Sequence, residues 1–306
     1  LELVPDDYIP AMRPDVGCVV IESALGAEVV FADDPNQTCT IKEPVLKSAD
    51  DIYKLKMPNP NTDGLVPEGL KRIKSFVERT DGQVYVSCLD MGGSMNVAFT
   101  LLGSIEFYML SYDNPEALEY LANFIADVFI HFAEVSIEAA GGIDHVTCSD
   151  FPYWWHPEKY KGHMSDDICA QFSPAFFNQF SKPYNNKIYA RFGGGMMHNC
   201  GPNPCISEYL SHEPRIHAID IDHNYSKNDL EAIKTAFKGE GVIYFYMYNS
   251  IEKSLDEYKR LMETLAPDVI AIPCVSCGPD DDVKGIYNQF LQISREYASR
   301  MNWRGG

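Results

Sequence analysis

Positive charge is scarce in this chain. Lys and Arg together number 25 against 44 Asp and Glu, a formal net charge of −19, and only nine of the basic residues are Arg. Such a balance repels polyanions, so nucleic acid, anionic membrane surfaces and polycarboxylate substrates are poor partners for it. No uninterrupted apolar run approaches the roughly 18 residues needed to cross a bilayer. The opening Leu1-Glu2-Leu3-Val4-Pro5-Asp6-Asp7 has no initiator Met, basic segment or apolar core of a secretory leader. Native residues are therefore expected ahead of Leu1, and the N-terminal part is expected to be truncated. No G-x-G-x-x-G follows a strand-like run and no G-x-x-x-x-G-K-[ST] occurs, which removes the best evidence for an open nucleotide-binding sheet. Cysteine is neither dense nor even in number: nine are spread over 306 residues. A secreted disulfide framework is denser and paired, so a reducing cytoplasm is expected, with thiols as core filler or metal ligands.

What is present is a core-forming chain, 45% hydrophobic and 23% charged. From about residue 65 it alternates helix-like and strand-like segments. Leu70, Ile73 and Val77 share one helical face, and Gln83–Leu89 reads as a strand. Asn114-Pro115-Glu116 opens a long helix that Gly141-Gly142 closes near Ala140. Strands are expected at Ile143–Cys148, Lys187–Arg191, His217–Asp222, Val242–Tyr248 and Asp268–Ile272, with helices near Asn228, over Leu255–Leu265 and from Asp281 to the end. This alternation implies βαβ units and parallel strands, hence an α/β fold of the (β/α)8 TIM-barrel kind. No linker divides it. Residues 1–306 are expected to form one barrel domain, with 1–64 an irregular N-terminal portion packed on the barrel.

In such a barrel the chemistry sits where strands end. That rule picks out Asp90, Asp150, His198, Cys200, Asp220, Asp222, Asn249, Cys274 and Cys277. His198-Asn199-Cys200 is the sharpest feature, because residues two apart in extended chain point the same way and converge on one ion. Zn²⁺ accepts imidazole nitrogen and thiolate sulfur, and a catalytic site has three protein ligands and one open position. Cys274-Val275-Ser276-Cys277 is the natural source of a third ligand. Against this, H-x-C arises by chance and a buried Cys is commonly a small hydrophobe.

Several stretches in order resemble the uroporphyrinogen decarboxylase superfamily. They are Ala24-Leu25-Gly26-Ala27-Glu28-Val29, Leu101–Glu106 with Asp113-Asn114-Pro115-Glu116, Ser173–Phe177 with Lys182-Pro183-Tyr184, and Met197-His198-Asn199-Cys200-Gly201. The H-x-C-G is similar to that of its zinc-dependent, corrinoid-linked methyltransferases. The resemblance implies that His198, Cys200 and Cys274 hold Zn²⁺, with Cys277 the alternative third ligand. It implies a methyl transfer between a small methylated substrate and the cobalt of a corrinoid. No D-x-H-x-x-G corrinoid-attachment motif is present, so the corrinoid is expected on a partner protein. The superfamily's metal-free decarboxylation needs an Arg-rich cleft and an Arg-Gln-Ala-Gly-Arg signature that this chain does not contain. The remaining alternative is a non-catalytic zinc-binding or corrinoid-docking subunit, its zinc closed by both Cys274 and Cys277.

Aromatic residues suggest the substrate. Tyr153, Trp154 and Trp155 follow a strand end, and Tyr244, Tyr246 and Tyr248 alternate on another strand. Such rings stack on a flat substrate or enclose a methylammonium, and a methoxylated aromatic is the expected methyl donor, an O-demethylation. The competing readings are strand packing for the tyrosines and interface surface for the tryptophans. Asp90 and Asp150 are candidate catalytic residues, as proton donor or fourth zinc ligand, or else loop caps. Asp166-Asp167 reads as a solvated pair and Glu22 as a surface carboxylate.

Overall fold

The computed structural model describes residues 4, 9–34, 37–152, 154–209, 213–237 and 240–301. Nine strands are present among them: β1 (Ala11–Met12), β2 (Val29–Val30), β3 (Thr40–Ile41), β4 (Tyr85–Val86), β5 (Gly162–Ser165), β6 (Gly195–Asn199), β7 (Ala218–Asp222), β8 (Gly241–Met247) and β9 (Val269–Val275). β2 and β3 form an antiparallel hairpin outside the main wall. The wall is parallel throughout. β1 pairs with β4, Val86 bridges Val146 in parallel, and Ser149 donates its amide to Lys161 O just before β5. β5 through β9 then follow side by side in chain order. Counting the Val146 segment as a stave, eight parallel staves run in sequence order, the arrangement of a TIM barrel.

Glycine sets the approach of β5 and β6. A Cβ at Gly195 would run into the backbone carbonyl of Gly162, so any side chain there would push the two strands apart. Between the staves, amphipathic helices cover the outside. The longest, Pro115–Ala140, is capped by Asn114, whose side chain accepts from Ala117 N, and ends on Gly141 in the left-handed region. It buries Leu118, Leu121, Ile125, Phe129 and Phe132 against its neighbours, worth roughly 1.5–3 kcal/mol for each large side chain. By length and composition alone this helix could cross a membrane; half of its apolar window is buried in the core.

Two expected strands are something else. Lys187–Arg191 lies in the helix Lys182–Phe192, where Asn185, Ile188, Tyr189 and Phe192 are buried at helical spacing. The strand is the glycine-rich run after it, β6, which carries His198. Ile143–His145 forms a 3₁₀ turn, and only Val146 of the expected Ile143–Cys148 strand bridges the wall.

Candidate functional site

His198 points inward from β6, with its ring held from behind. Nδ1 lies 2.8 Å from Asp220 Oδ2 on β7, which also accepts from Tyr246 OH at 2.8 Å. Register places His198 opposite Asp220, so the pairing follows from strand alignment. The other ring nitrogen, Nε2, faces Asp167 Oδ1 at 3.4 Å. Asp167 Oδ1 in turn accepts from Cys200 N at 3.0 Å and Cys200 Sγ at 3.2 Å. Asp167, His198 and Cys200 thus offer oxygen, nitrogen and sulfur within 4.8 Å of one another, with Cys200 exposed. Burial works against a charge on His198, but Asp220 outweighs it and raises the imidazole's affinity for a proton well above the ordinary range. A fixed Nδ1 partner, with Nε2 turned toward the other two donors, is what a metal-binding imidazole needs, since the partner sets ring orientation and basicity. The donor set fits Zn²⁺.

Behind the trio lies a second imidazole. His163, fully buried on β5, has Nδ1 3.4 Å from Asp150 Oδ2 and Nε2 3.7 Å from Asp220 Oδ1. Burial opposes its charge, yet the two carboxylates raise its pKa. Conversely the carboxylate of Asp220, despite its burial, is stabilised by His198 and His163 and stays ionised well below the usual range. Asp150 also accepts from Met91 N at 3.0 Å, which ties the Asp90–Gly93 loop to the barrel centre. Asp90 itself takes a 2.6 Å hydrogen bond from Arg13 Nη2. Burial, reinforced by Asp150 and opposed by Arg13, pushes its carboxyl up to about 7. The Arg13 guanidinium sits 4.9 Å from the centre of the Phe151 ring. Phe151 meets both imidazoles edge-on, at 5.5 Å and 5.8 Å.

On the other side of Tyr246 a cavity of about 720 Å³ opens, lined by Trp154, Trp155, Tyr244, Tyr248, Cys274 and Phe290 among others. Trp154 stacks on Tyr244 with centroids 4.7 Å apart and planes at 20°. Tyr246 and Tyr248 lie nearly parallel at 6.1 Å. Tyr244 and Tyr246 turn into the barrel and Tyr248, past the strand's end, is exposed, while Ile243, Phe245 and Met247 take the buried side. Trp155 packs on Tyr85 and under the Lys161 ammonium, and is partly buried.

The structure brings His198 and Cys200 together and places Cys274 apart from their cluster. Cys274 stands opposite Tyr246 on β9, three strand spacings of roughly 4.8 Å around the wall from β6. Burial pushes its thiol up to about 12. Cys277 lines the same cavity and is exposed. Tyr153 lies outside the described residues. Asp166-Asp167 is not a solvated pair: Asp166 is fully buried on Asn185 Nδ2, and Asp167 joins the trio. Glu22 is not on the surface either; it is 3% exposed. His163 goes unread in the sequence, and Asp167 reads as solvated, because β5, four residues with no alternation, gives no strand signal. Once β5 is recognised, the strand-end rule finds Asp167, two residues past its end, whereas His163, the second residue of the strand, is found only through its carboxylate partners.

Comparison with known proteins agrees with this architecture. A methyltransferase from Methanosarcina mazei superposes with a TM-score of 0.69 at 18% identity, over 94% of this chain and 81% of that one. At that identity the likeness is one of fold. No curated protein matches significantly. A family model described as uroporphyrinogen decarboxylase (URO-D) matches residues 11–268, from the first stave to the start of the last. The chain belongs to the uroporphyrinogen decarboxylase family.

Proposed function

We propose that the chain is a zinc-dependent methyltransferase, moving a methyl group between a small methylated substrate and the cobalt of a corrinoid carried by a partner protein. The observation that carries this reading is the Asp167–His198–Cys200 trio with Asp220 behind the imidazole. Those three residues, with Cys274 a further candidate, would hold Zn²⁺, which supplies Lewis acidity toward a substrate oxygen or sulfur. Asp220 fixes the His198 ring and keeps Nε2 turned to the site. Trp154, Tyr244 and Tyr246 form a flat apolar slot suited to a methoxylated aromatic. Asp90, whose carboxyl burial pushes up to about 7, lines the cleft beside Asp167 and not the aromatic cavity, and is proposed as a proton donor only to a group that reaches that cleft. Asp150 acts through His163 and the Met91 amide, as a positioning residue. A cytoplasmic location belongs to this proposal and is supported by nine unpaired cysteines.

The superfamily's decarboxylation is disfavoured by charge. Among the described residues, neither the aromatic cavity nor the cleft beside Asp167 is lined by a Lys or Arg able to receive a polycarboxylate.

The test is elemental analysis of wild type, Asp167→Asn, His198→Ala, Cys200→Ser, Cys274→Ser and Cys277→Ser. About one zinc per chain is expected, lost in the His198 and Cys200 variants, and the remaining variants name the third ligand. Transfer of a methyl group from guaiacol to Co(I) cobalamin, followed by visible absorption, then tests the reaction. Folded wild-type protein that takes up no zinc from solution would overturn the proposal.

A further inference from the structure

A second cleft, of about 490 Å³, lies on the opposite side of Asp167 from the thiol of Cys200, between the β2–β3 hairpin and the Asp90–Gly93 loop. Its volume is in the range of small-ligand sites. Its polar lining comes from Glu22, Thr38, Asp90, Asn96, Thr100 and Asp167, and none of its lining residues is Lys, Arg or His. Most of these groups are satisfied internally. Asn96 donates to Ser165 Oγ and Asp167 Oδ2 and accepts from Ile168 N. Thr100 donates to Asn96 O, and Asp90 is paired with Arg13. Glu22 is satisfied only in part: Thr100 and its own backbone steady the carboxyl, but one of its oxygens is left over. It is 3% exposed, lies in the short helix Val20–Ala24, and its Oε2 is buried with no hydrogen-bond partner among the described residues. A buried carboxyl oxygen left without a donor is costly unless something supplies one.

We infer that this cleft is a binding site for a small primary or secondary ammonium group, with Glu22 as its counter-ion and hydroxyl and carboxylate oxygens as its remaining acceptors. The Thr100 hydroxyl and the Asn96 amide already donate within the protein and the rest of the polar lining is rich in carboxyl oxygen, so the complementary ligand is one that brings donors and positive charge. Val19, Met91, Val97 and Phe99 supply apolar contact for a short alkyl portion, and the Phe99 ring can face the cation. Burial pushes the Glu22 carboxyl up to about 8, and a cation seated beside it would draw it back toward the ionised form. This site does not depend on the metal reading; it would stand if the trio bound no ion.

The experiment titrates the whole protein with methylammonium and dimethylammonium, and with acetate and methanol as controls, by calorimetry and by ligand-observed NMR. Saturable binding of the two ammonium ions, none of the controls, and at least a tenfold loss in Glu22→Gln are expected. A melting curve shows that the variant is folded, which the near-isosteric, neutral replacement favours. Thr38→Lys, whose exposed position at the cleft rim tolerates a long side chain, should weaken ammonium binding in the same way by placing a tethered cation there. Absent saturation, equal binding of methanol, or undiminished binding in folded Glu22→Gln would each overturn the inference. Zinc analysis of the same samples separates this outcome from failure of the metal site.

Discussion

Asp220 Oδ2 lies 2.8 Å from His198 Nδ1 and also accepts the Tyr246 hydroxyl at 2.8 Å, so one buried carboxylate holds both the imidazole of the Asp167–His198–Cys200 trio and a wall of the aromatic cavity. The two compartments share a hinge point in the sheet register, where β6, β7 and β8 align side by side. A change at Asp220 should therefore be felt on both sides.

Asp220→Asn keeps the shape but removes the charge that fixes the His198 ring. Loss of such a supporting carboxylate typically costs 10- to 100-fold in metal affinity. The expected result is a zinc affinity weaker by about that factor in chelator competition, with the His198 ligand still present. Unchanged affinity would show that Asp220 does not position the ring.

Glu22 makes stability depend on pH with a definite sign. In the unfolded chain its carboxyl gives up a proton near its ordinary 4.5, whereas in the fold it holds it to about 8. Over that window the folded state binds more protons, so stability falls as pH rises, by on the order of 5 kcal/mol in total. Glu22→Gln should flatten this part of the profile and be the more stable protein at pH 8. Urea denaturation at pH 5 and pH 8 measures it; parallel profiles for the two proteins would contradict it.

Trp154 stacks on Tyr244 and closes one side of the aromatic cavity. Trp154→Ala should weaken guaiacol binding roughly tenfold, in line with the loss of one stacked ring and its buried area. Zinc content should not change. Fluorescence or NMR titration decides it, and an unchanged affinity would remove the aromatic cavity from the substrate site.

Gly195 is the tight point of the wall. Its missing Cβ makes room for the Gly162 carbonyl, a backbone atom that cannot rotate away. Gly195→Ala should cost about 3 kcal/mol or more, because β5 and β6 must separate to admit it. Since β6 carries His198 and Asp167 follows β5 by two residues, zinc affinity should fall with stability. A melting curve beside the chelator assay shows both; a variant as stable as wild type would mean that the wall yields locally.

Much of this was legible in the linear sequence, because it rests on local chemistry. The Asn114 cap and Gly141 stop of the long helix are set by residues a few positions apart. The alternation of Tyr244, Tyr246 and Tyr248 follows from the two-residue period of a strand, as does the shared face of His198 and Cys200. The order of strands and helices was enough for the parallel α/β class. Lys187–Arg191 misled because Ile188 and Tyr189 suit either element, and only packing of the i, i+3 and i+4 set chose the helix.

The tertiary structure decided which distant groups meet. Nothing in the spacing says that Asp167 rather than Cys274 lies against His198. That follows from β5 being the immediate neighbour of β6 while β9 stands three staves away. Nor does a lone His163 announce that it sits between Asp150 and Asp220, or a Glu22 that its oxygen faces a cleft without a donor. Local sequence determines caps, periods and strand faces through interactions a few residues long. Which carboxylate is charged, which is protonated and which imidazole is held depends on burial and on partners brought from across the barrel, and only the closed wall supplies those.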